Sequence, residues 1–265
     1  MPVNDNLGIR MKTFYEQIPK TKLMRRCPVM IRIDGKAFHT FTRGFQKPFD
    51  EVLMKSMQET TKYLCENIQG CVLGYTQSDE ISLVLVDYQK LESCAWFDYE
   101  VQKMVSVAAS MATMAFGKAF ARHVEEFEKE NKENTDLLNR YKAALEQGAM
   151  FDARVFNIPK EEVTNCIYWR QLDAARNSVQ MVGQAYFTHK ELHKKTCNMI
   201  QDMLMLQKEI NWNNFPTHQK RGTCVVKQKL ENEEEKHGKW IIDMEIPLFK
   251  GEGRAYIEEL IMVGE

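Results

Sequence analysis

Three carboxylates stand where β-rich runs break into turns. Asp34 ends the run Pro-Val-Met-Ile-Arg-Ile (28–33) and precedes Gly35, while Asp79 and Glu80 sit 45 residues further on, in the polar tetrapeptide Gln77-Ser78-Asp79-Glu80 between two more such runs. If the strand ends are neighbours, such carboxylates can bridge two Mg²⁺ ions about 3.5–4 Å apart, one activating an attacking oxygen and one stabilising a leaving phosphate oxygen. Phosphoryl transfer asks little more of a protein than that positioning and charge neutralisation. The same residues equally suit ordinary turns, because Asp before Gly or at a hairpin tip bonds its own backbone. Spacing alone leaves both readings open. The segment Asp34-Gly35-Lys36-Ala37-Phe38-His39 can wrap backbone N–H groups around a triphosphate, since Gly permits close approach. Lys47, before Pro48, adds a nearby cation or is simply a surface lysine.

The elements that must hold these residues follow from periodicity. Residues 28–33 read as a buried strand, and from Asp50, a plausible N-cap, Val52, Leu53, Met57, Tyr63 and Leu64 recur at helical spacing until Gly70. Residues 72–75 and 81–86 form a hairpin with the acids at its tip. Residues 97–122, rich in Ala, Met and Val, predict a long helix with a buried face, and the charged stretch 125–147 reads as a partly helical insertion. A strand over 150–158 and two or more helices over 160–208 follow, and 223–229 and 239–246 pair as strands about an acidic turn. The order β-α-β-β-α-β is the split βαβ arrangement of an α+β fold, an antiparallel sheet with helices on one face. With no internal repeat or Pro/Gly/Ser linker, residues 1–265 read as a single catalytic unit: a core over about 25–158 and a helical and hairpin extension over about 159–265.

Composition narrows the class. Hydrophobic residues at 44%, charged at 28% and only 7 Pro argue for a packed globular chain rather than disorder. No run of eighteen uninterrupted apolar residues and no signal pattern is visible, so neither a membrane span nor secretion is expected. Seven scattered cysteines without a C-x-x-C pair fit a reducing, cytoplasmic compartment. The net charge of −1 hides asymmetry: residues 1–50 hold ten Lys/Arg against four Asp/Glu, and 189–229 hold eight against three. These two basic regions can form a phosphate-binding surface, or be solvated faces. His189 and His193 share a helix face at i and i+4, but Lys190 stands where a zincin motif needs Glu, so a solvated basic helix is expected there. Cys166 and Cys197 lack an adjacent activating His, and Met199, Met203 and Met205 suit core packing.

Taken together, Arg32 to His39, Phe45-Gln46-Lys47-Pro48 and Ser78-Asp79-Glu80 resemble the tRNA-His guanylyltransferase family. The match continues through Phe151-Asp152-Ala153-Arg154, Trp169-Arg170-Gln171-Leu172-Asp173 and Asn211 to Thr223, about 195 residues in order. The resemblance implies a palm-like domain similar to that of polymerases and nucleotidyl cyclases, working with two Mg²⁺ ions. It implies activation of a tRNA 5′ end with ATP or GTP and then attack by a nucleotide 3′-hydroxyl, so that growth runs 3′ to 5′. Carried over by position, Asp34, Asp79 and Glu80 are the catalytic acids, and Asp34, Gly35 and Asp79 the metal ligands. Gly35, Lys36, Ala37, Phe38, His39, Lys47, Ser78 and Lys103 would bind nucleotide, and Asn177, Lys220 and Arg221 would contact tRNA or triphosphate. Family members also suggest a homotetramer. Glu100 stands where eukaryotic members tend to carry a basic residue.

One segment departs from the eukaryotic pattern. Where those members read His-Ile-Asn-Asn-Leu-Tyr-Asn, this chain reads Ala175-Arg176-Asn177-Ser178-Val179-Gln180-Met181. That is similar to the guanylyltransferase-like branch, whose members resemble template-dependent 5′-end repair polymerases. The expected function is therefore templated 5′-end repair, with addition of G to tRNA-His as the alternative. A palm-type nucleotidyl cyclase shares the Asp34/Asp79 logic but leaves Trp169-Arg170-Gln171 and Lys220-Arg221-Gly222-Thr223 without a task. A catalytically idle RNA-binding protein would have no need of Asp34, Asp79 and Glu80 together.

Overall fold

The computed structural model describes residues 6–228 and 238–263. Its helices are α1 (Asn6–Met11), α2 (Phe38–Phe41), α3 (Glu51–Asn67), α4 (Val101–Glu130), α5 (Thr135–Gln147), α6 (Lys160–Tyr186), α7 (His189–Leu192), α8 (Cys197–Lys208), α9 (Thr217–Arg221) and α10 (Ala255–Ile261). Its strands are β1 (Val29–Gly35), β2 (Cys71–Gln77), β3 (Glu80–Leu85), β4 (Phe151–Asn157), β5 (Thr223–Lys227) and β6 (Trp240–Asp243). All six form one antiparallel sheet in the order β4-β1-β3-β2-β5-β6. The expected β-α-β-β-α-β order runs through β1, α3, β2, β3, α4 and β4. The acidic turn expected between the last two strands lies outside the described residues.

Alternation along the strands sorts the sheet into two faces. Val29, Ile31 and Ile33 of β1 and Ile81, Leu83 and Leu85 of β3 pack with Met57 and Leu64 of α3 and Met104, Ala108, Ala112 and Phe116 of α4. Met30, Leu73, Tyr75 and Val84 face the other way, against Val163 and Ile167 of α6 and Ile257 and Ile261 of α10. The core helices thus cover one face, and the C-terminal extension returns to cover part of the second. By its length of 30 residues and a mean hydropathy of 1.3 over its most apolar window, α4 qualifies as a candidate membrane span; here its apolar stripe is buried against the sheet.

The charged stretch 125–147 packs on the main core and does not stand apart from it. Its first residues extend α4 to Glu130, and α5 buries Leu138, Tyr141 and Ala144 in the main core. The Tyr141 hydroxyl donates to Asp50 Oδ2 at 2.7 Å. Asp50 caps α3 as its sequence position predicts, accepting from the Leu53 N–H at 2.9 Å, and also accepts from the Gln46 N–H at 2.9 Å. One buried carboxylate therefore ties α5, the start of α3 and the loop that carries Lys47.

Candidate active site

Cross-strand register brings the acids together. Asp34 lies directly opposite Glu80 on β3 and Asp152 on β4, and the Gly35 N–H donates to the Asp79 carbonyl at 3.0 Å. The β2–β3 turn is only Ser78-Asp79, with Ser78 held in left-handed backbone (φ 52°) and its hydroxyl donating to Asp79 Oδ1 at 3.0 Å. Burial raises the Asp79 proton affinity above the usual carboxylate range; the backbone and Ser78 hydrogen bonds oppose this, and the nearby Asp34 charge adds to it. Asp34 is part-exposed, with a guanidinium nitrogen of Arg154 4.0 Å from its Oδ2 and 3.6 Å from Asp152 Oδ1.

Glu80 has a different setting from its two neighbours. Arg170 of α6 grips it side-on, Nε to Oε1 at 2.6 Å and Nη2 to Oε2 at 2.7 Å, and Nη2 also reaches Asp173 at 2.9 Å. Burial pushes the Glu80 carboxyl up and Arg170 pulls it back toward ionisation. The adjacent Gln171 uses both ends of its amide, donating to the Pro247 carbonyl at 2.8 Å and accepting from the Phe249 N–H at 3.0 Å. One turn of α6 thus joins the hairpin tip to the C-terminal segment.

Beside the acids lies a cavity of about 450 Å³ whose walls include Gly35, Ala37, Phe38, His39, Lys47, Ser78 and Asp79. Gly35 is required there because a Cβ would stand 2.3 Å from Cδ2 of Phe38, a buried ring packed against Phe41, Phe116 and Phe151. Ala37 turns the chain with φ 55° into α2, and the N–H groups of Phe38 and His39 have no intramolecular acceptor among the described residues. Lys36 is exposed, does not line this cavity, and its N–H is used by the Met150 carbonyl at 2.8 Å.

A second cavity of about 80 Å³ adjoins the first through Asp50, Leu53, Ser78 and Met181 and is also lined by Asn177 and His218. Lys220 and Arg221 end α9 next to β2. The Lys220 ammonium donates to the Asn213 carbonyl at 2.6 Å, and the Arg221 carbonyl accepts from Tyr75 at 2.6 Å. Gly222 follows with φ 83°, where a Cβ would meet the Thr76 carbonyl oxygen at 2.6 Å. Lys103 does not line the larger cavity; it lies ten residues, about 15 Å along α4, before Thr113, whose hydroxyl accepts from the Phe151 N–H beside Gly35.

The donor set suits Mg²⁺. Asp34 and Asp79 offer hard oxygen ligands, and their mutual repulsion is what a cation relieves. Among the described residues no three His, Cys, Asp or Glu side chains converge into a metal cage. Mg²⁺ needs no such cage, since one or two carboxylates, waters and substrate phosphates complete its shell.

A model of the tRNA-His guanylyltransferase family matches residues 9–159, more than half of the chain. The chain belongs to the tRNA-His guanylyltransferase family. It is similar to a solved bacterial tRNA-His guanylyltransferase-like protein in complex with ATP, at 40% identity and TM-score 0.80 over 96% of this chain and 98% of that one. A bacterial tRNA-His guanylyltransferase-like protein in complex with GTP is 36% identical, TM-score 0.74, over 98% and 100% of the two chains. The tRNA(His) guanylyltransferase of Saccharomyces cerevisiae is 27% identical over 220 residues, 78% of this chain and 85% of that protein. The protein is therefore a nucleotidyltransferase of tRNA processing. Within this family member, sequence reading did not find the Arg170 fork on Glu80, 90 residues apart in the chain. It also did not find the role of Tyr141 at Asp50, because the charged surface of α5 masked its three buried positions.

Proposed function

We propose that this guanylyltransferase-family enzyme adds nucleotides to the 5′ end of tRNA in the 3′–5′ direction, choosing each by pairing with the opposite strand. The observation that carries the reading is the site itself: Asp79, whose carboxylate feels the charge of Asp34 on the neighbouring strand, lines a cavity bordered by Gly35, His39 and Lys47. Asp34, Asp79 and the Gly35 carbonyl would hold Mg²⁺, which when bound neutralises the triphosphate and activates the attacking oxygen. The chain's own residues do the positioning. The Phe38 and His39 N–H groups and the Lys47 ammonium face the charge of a triphosphate of ATP or GTP, and the Ser78 hydroxyl keeps Asp79 turned to the cavity.

Template dependence is supported by residues 174–181. Ala174, Asn177, Ser178 and Met181 line the smaller cavity behind the hairpin tip, at the segment that departs from the eukaryotic pattern. These side chains stand in place of the His-Ile-Asn-Asn-Leu-Tyr-Asn element of the eukaryotic members, and the template reading rests on that replacement. A homotetramer belongs to the same reading on family resemblance, and a cytoplasmic location on the seven scattered cysteines. The test supplies 5′-truncated, 5′-monophosphorylated tRNA with each NTP singly while the opposing base is varied across all four identities. Addition of the complementary nucleotide in every case is expected. Addition of G alone, whatever the opposing base, overturns template dependence and returns the enzyme to G addition on tRNA-His.

A further inference from the structure

A third cavity, of about 480 Å³, opens next to the nucleotide cavity and shares Lys47 and Gln184 with it. Its other polar walls are Gln180 of α6 and, from the short segment after that helix, His189, His193, Lys194 and Lys195. Among the described residues no carboxylate lines it. The nearby acid of that segment, Glu191, is spent locally, accepting from the N–H and hydroxyl of Thr188 at 2.7 Å each in a capping box. Lys194 itself takes left-handed backbone (φ 59°), a conformation that Gly or Asn adopts more cheaply, and the Lys195 N–H closes the turn on the Leu192 carbonyl at 3.0 Å. The two histidines, 6.3 Å apart between ring centres, share this wall with the two lysines.

We infer that this chamber is a phosphate site that takes the phosphodiester backbone of the RNA strand whose 5′ end enters the nucleotide cavity. Three lysines and two imidazoles around an opening continuous with a triphosphate pocket are matched by polyanions. Phosphodiester and released pyrophosphate share that chemistry. The strand is favoured because the chamber also has an apolar side, where Phe187, Leu192 and Ile200 can meet sugar or base, and free pyrophosphate has no use for it. The inference rests on the polymerase reading above, to which it adds the path of the RNA.

The test is the double variant Lys194→Ala/Lys195→Ala, with Lys194→Asn/Lys195→Gln as a second variant that suits the left-handed turn. Thermal unfolding checks that both fold. Affinity for a 5′-monophosphorylated acceptor-stem hairpin RNA, for pyrophosphate and for ATP is measured against salt. Loss of two phosphate contacts is expected to weaken RNA binding about 30-fold at 0.15 M salt and to flatten the log–log salt slope by about 2. ATP and pyrophosphate affinities are expected to stay within about twofold of the wild type. Weakened pyrophosphate binding with intact RNA binding overturns the RNA assignment in favour of product. Intact binding of both removes the site. A wild-type protein that binds ATP but no RNA refutes the polymerase reading, and the inference with it.

Discussion

Replacing Arg170 with Met removes a guanidinium from a pair whose side chains are only 9% and 10% exposed. The apolar replacement fills much of the space but leaves Glu80 ionised and unpaired. Breaking one partner of a buried pair costs about 3–5 kcal/mol, because the surviving charge has lost both water and counter-ion. For a chain of this size about 4 kcal/mol corresponds to a fall in Tm of roughly 8–16 °C. The pH dependence has a definite sign. Burial already raises the Glu80 pKa in the wild type, and without Arg170 it rises further. The folded variant then binds more protons than the unfolded chain above the ordinary carboxylate pKa, so its stability falls as pH rises through that window. The deficit should therefore shrink when calorimetry is repeated at pH 5 instead of 7.5. Adding Glu80→Leu to Arg170→Met should recover most of the loss, since an apolar pair replaces an orphaned charge. A single variant within about 2 °C of the wild type at pH 7.5, or a double variant no better than the single, would refute the claim that this pair holds the hairpin tip.

Asp79→Asn is expected to lower nucleotide addition at least about 100-fold without lowering Tm. The half-buried carboxylate has a raised proton affinity and costs stability when ionised at neutral pH, and calorimetry beside a gel assay separates the two effects. Gly35→Ala should cost about 1–3 kcal/mol through overpacking against Phe38 and weaken ATP binding in titration calorimetry, because the ring cannot shift without moving the turn. Asp50→Ala removes the acceptor of three hydrogen bonds and should cost about 2–4 kcal/mol in urea unfolding, the sum of a lost cap and stranded donors. Tyr141→Phe, which removes one of the three, should cost only about 1 kcal/mol.

What was legible in the sequence was whatever lies within one element or one turn. The β1 run, the Asp50 cap and the acids at the tip of the β2–β3 hairpin each announce themselves within a few residues, and the pattern β-α-β-β-α-β then leaves few topologies. That is why Asp34 and Asp79, 45 residues apart, could be expected side by side. Relations across the sheet's second face were not legible. Arg170 stands out only as part of the Trp169–Asp173 motif, with no sign of what it holds, and only the docking of α6 beside β3 turns it into a buried clamp on Glu80. Charge misled in the same way at α5, where Leu138, Tyr141 and Ala144 form a narrow apolar stripe in a polar stretch. At His189–Lys195 the sequence showed a basic helix, but the structure makes it one wall of a chamber that is also lined by Lys47, 142 residues earlier. The pattern has a physical reason. A core face repeats with the period of its element and so leaves a trace in one segment, whereas a polar pair satisfied across elements leaves no period at all. The functional polar residues are the second kind, so a sequence reading finds the acids by their turns and misses the groups that hold them in place.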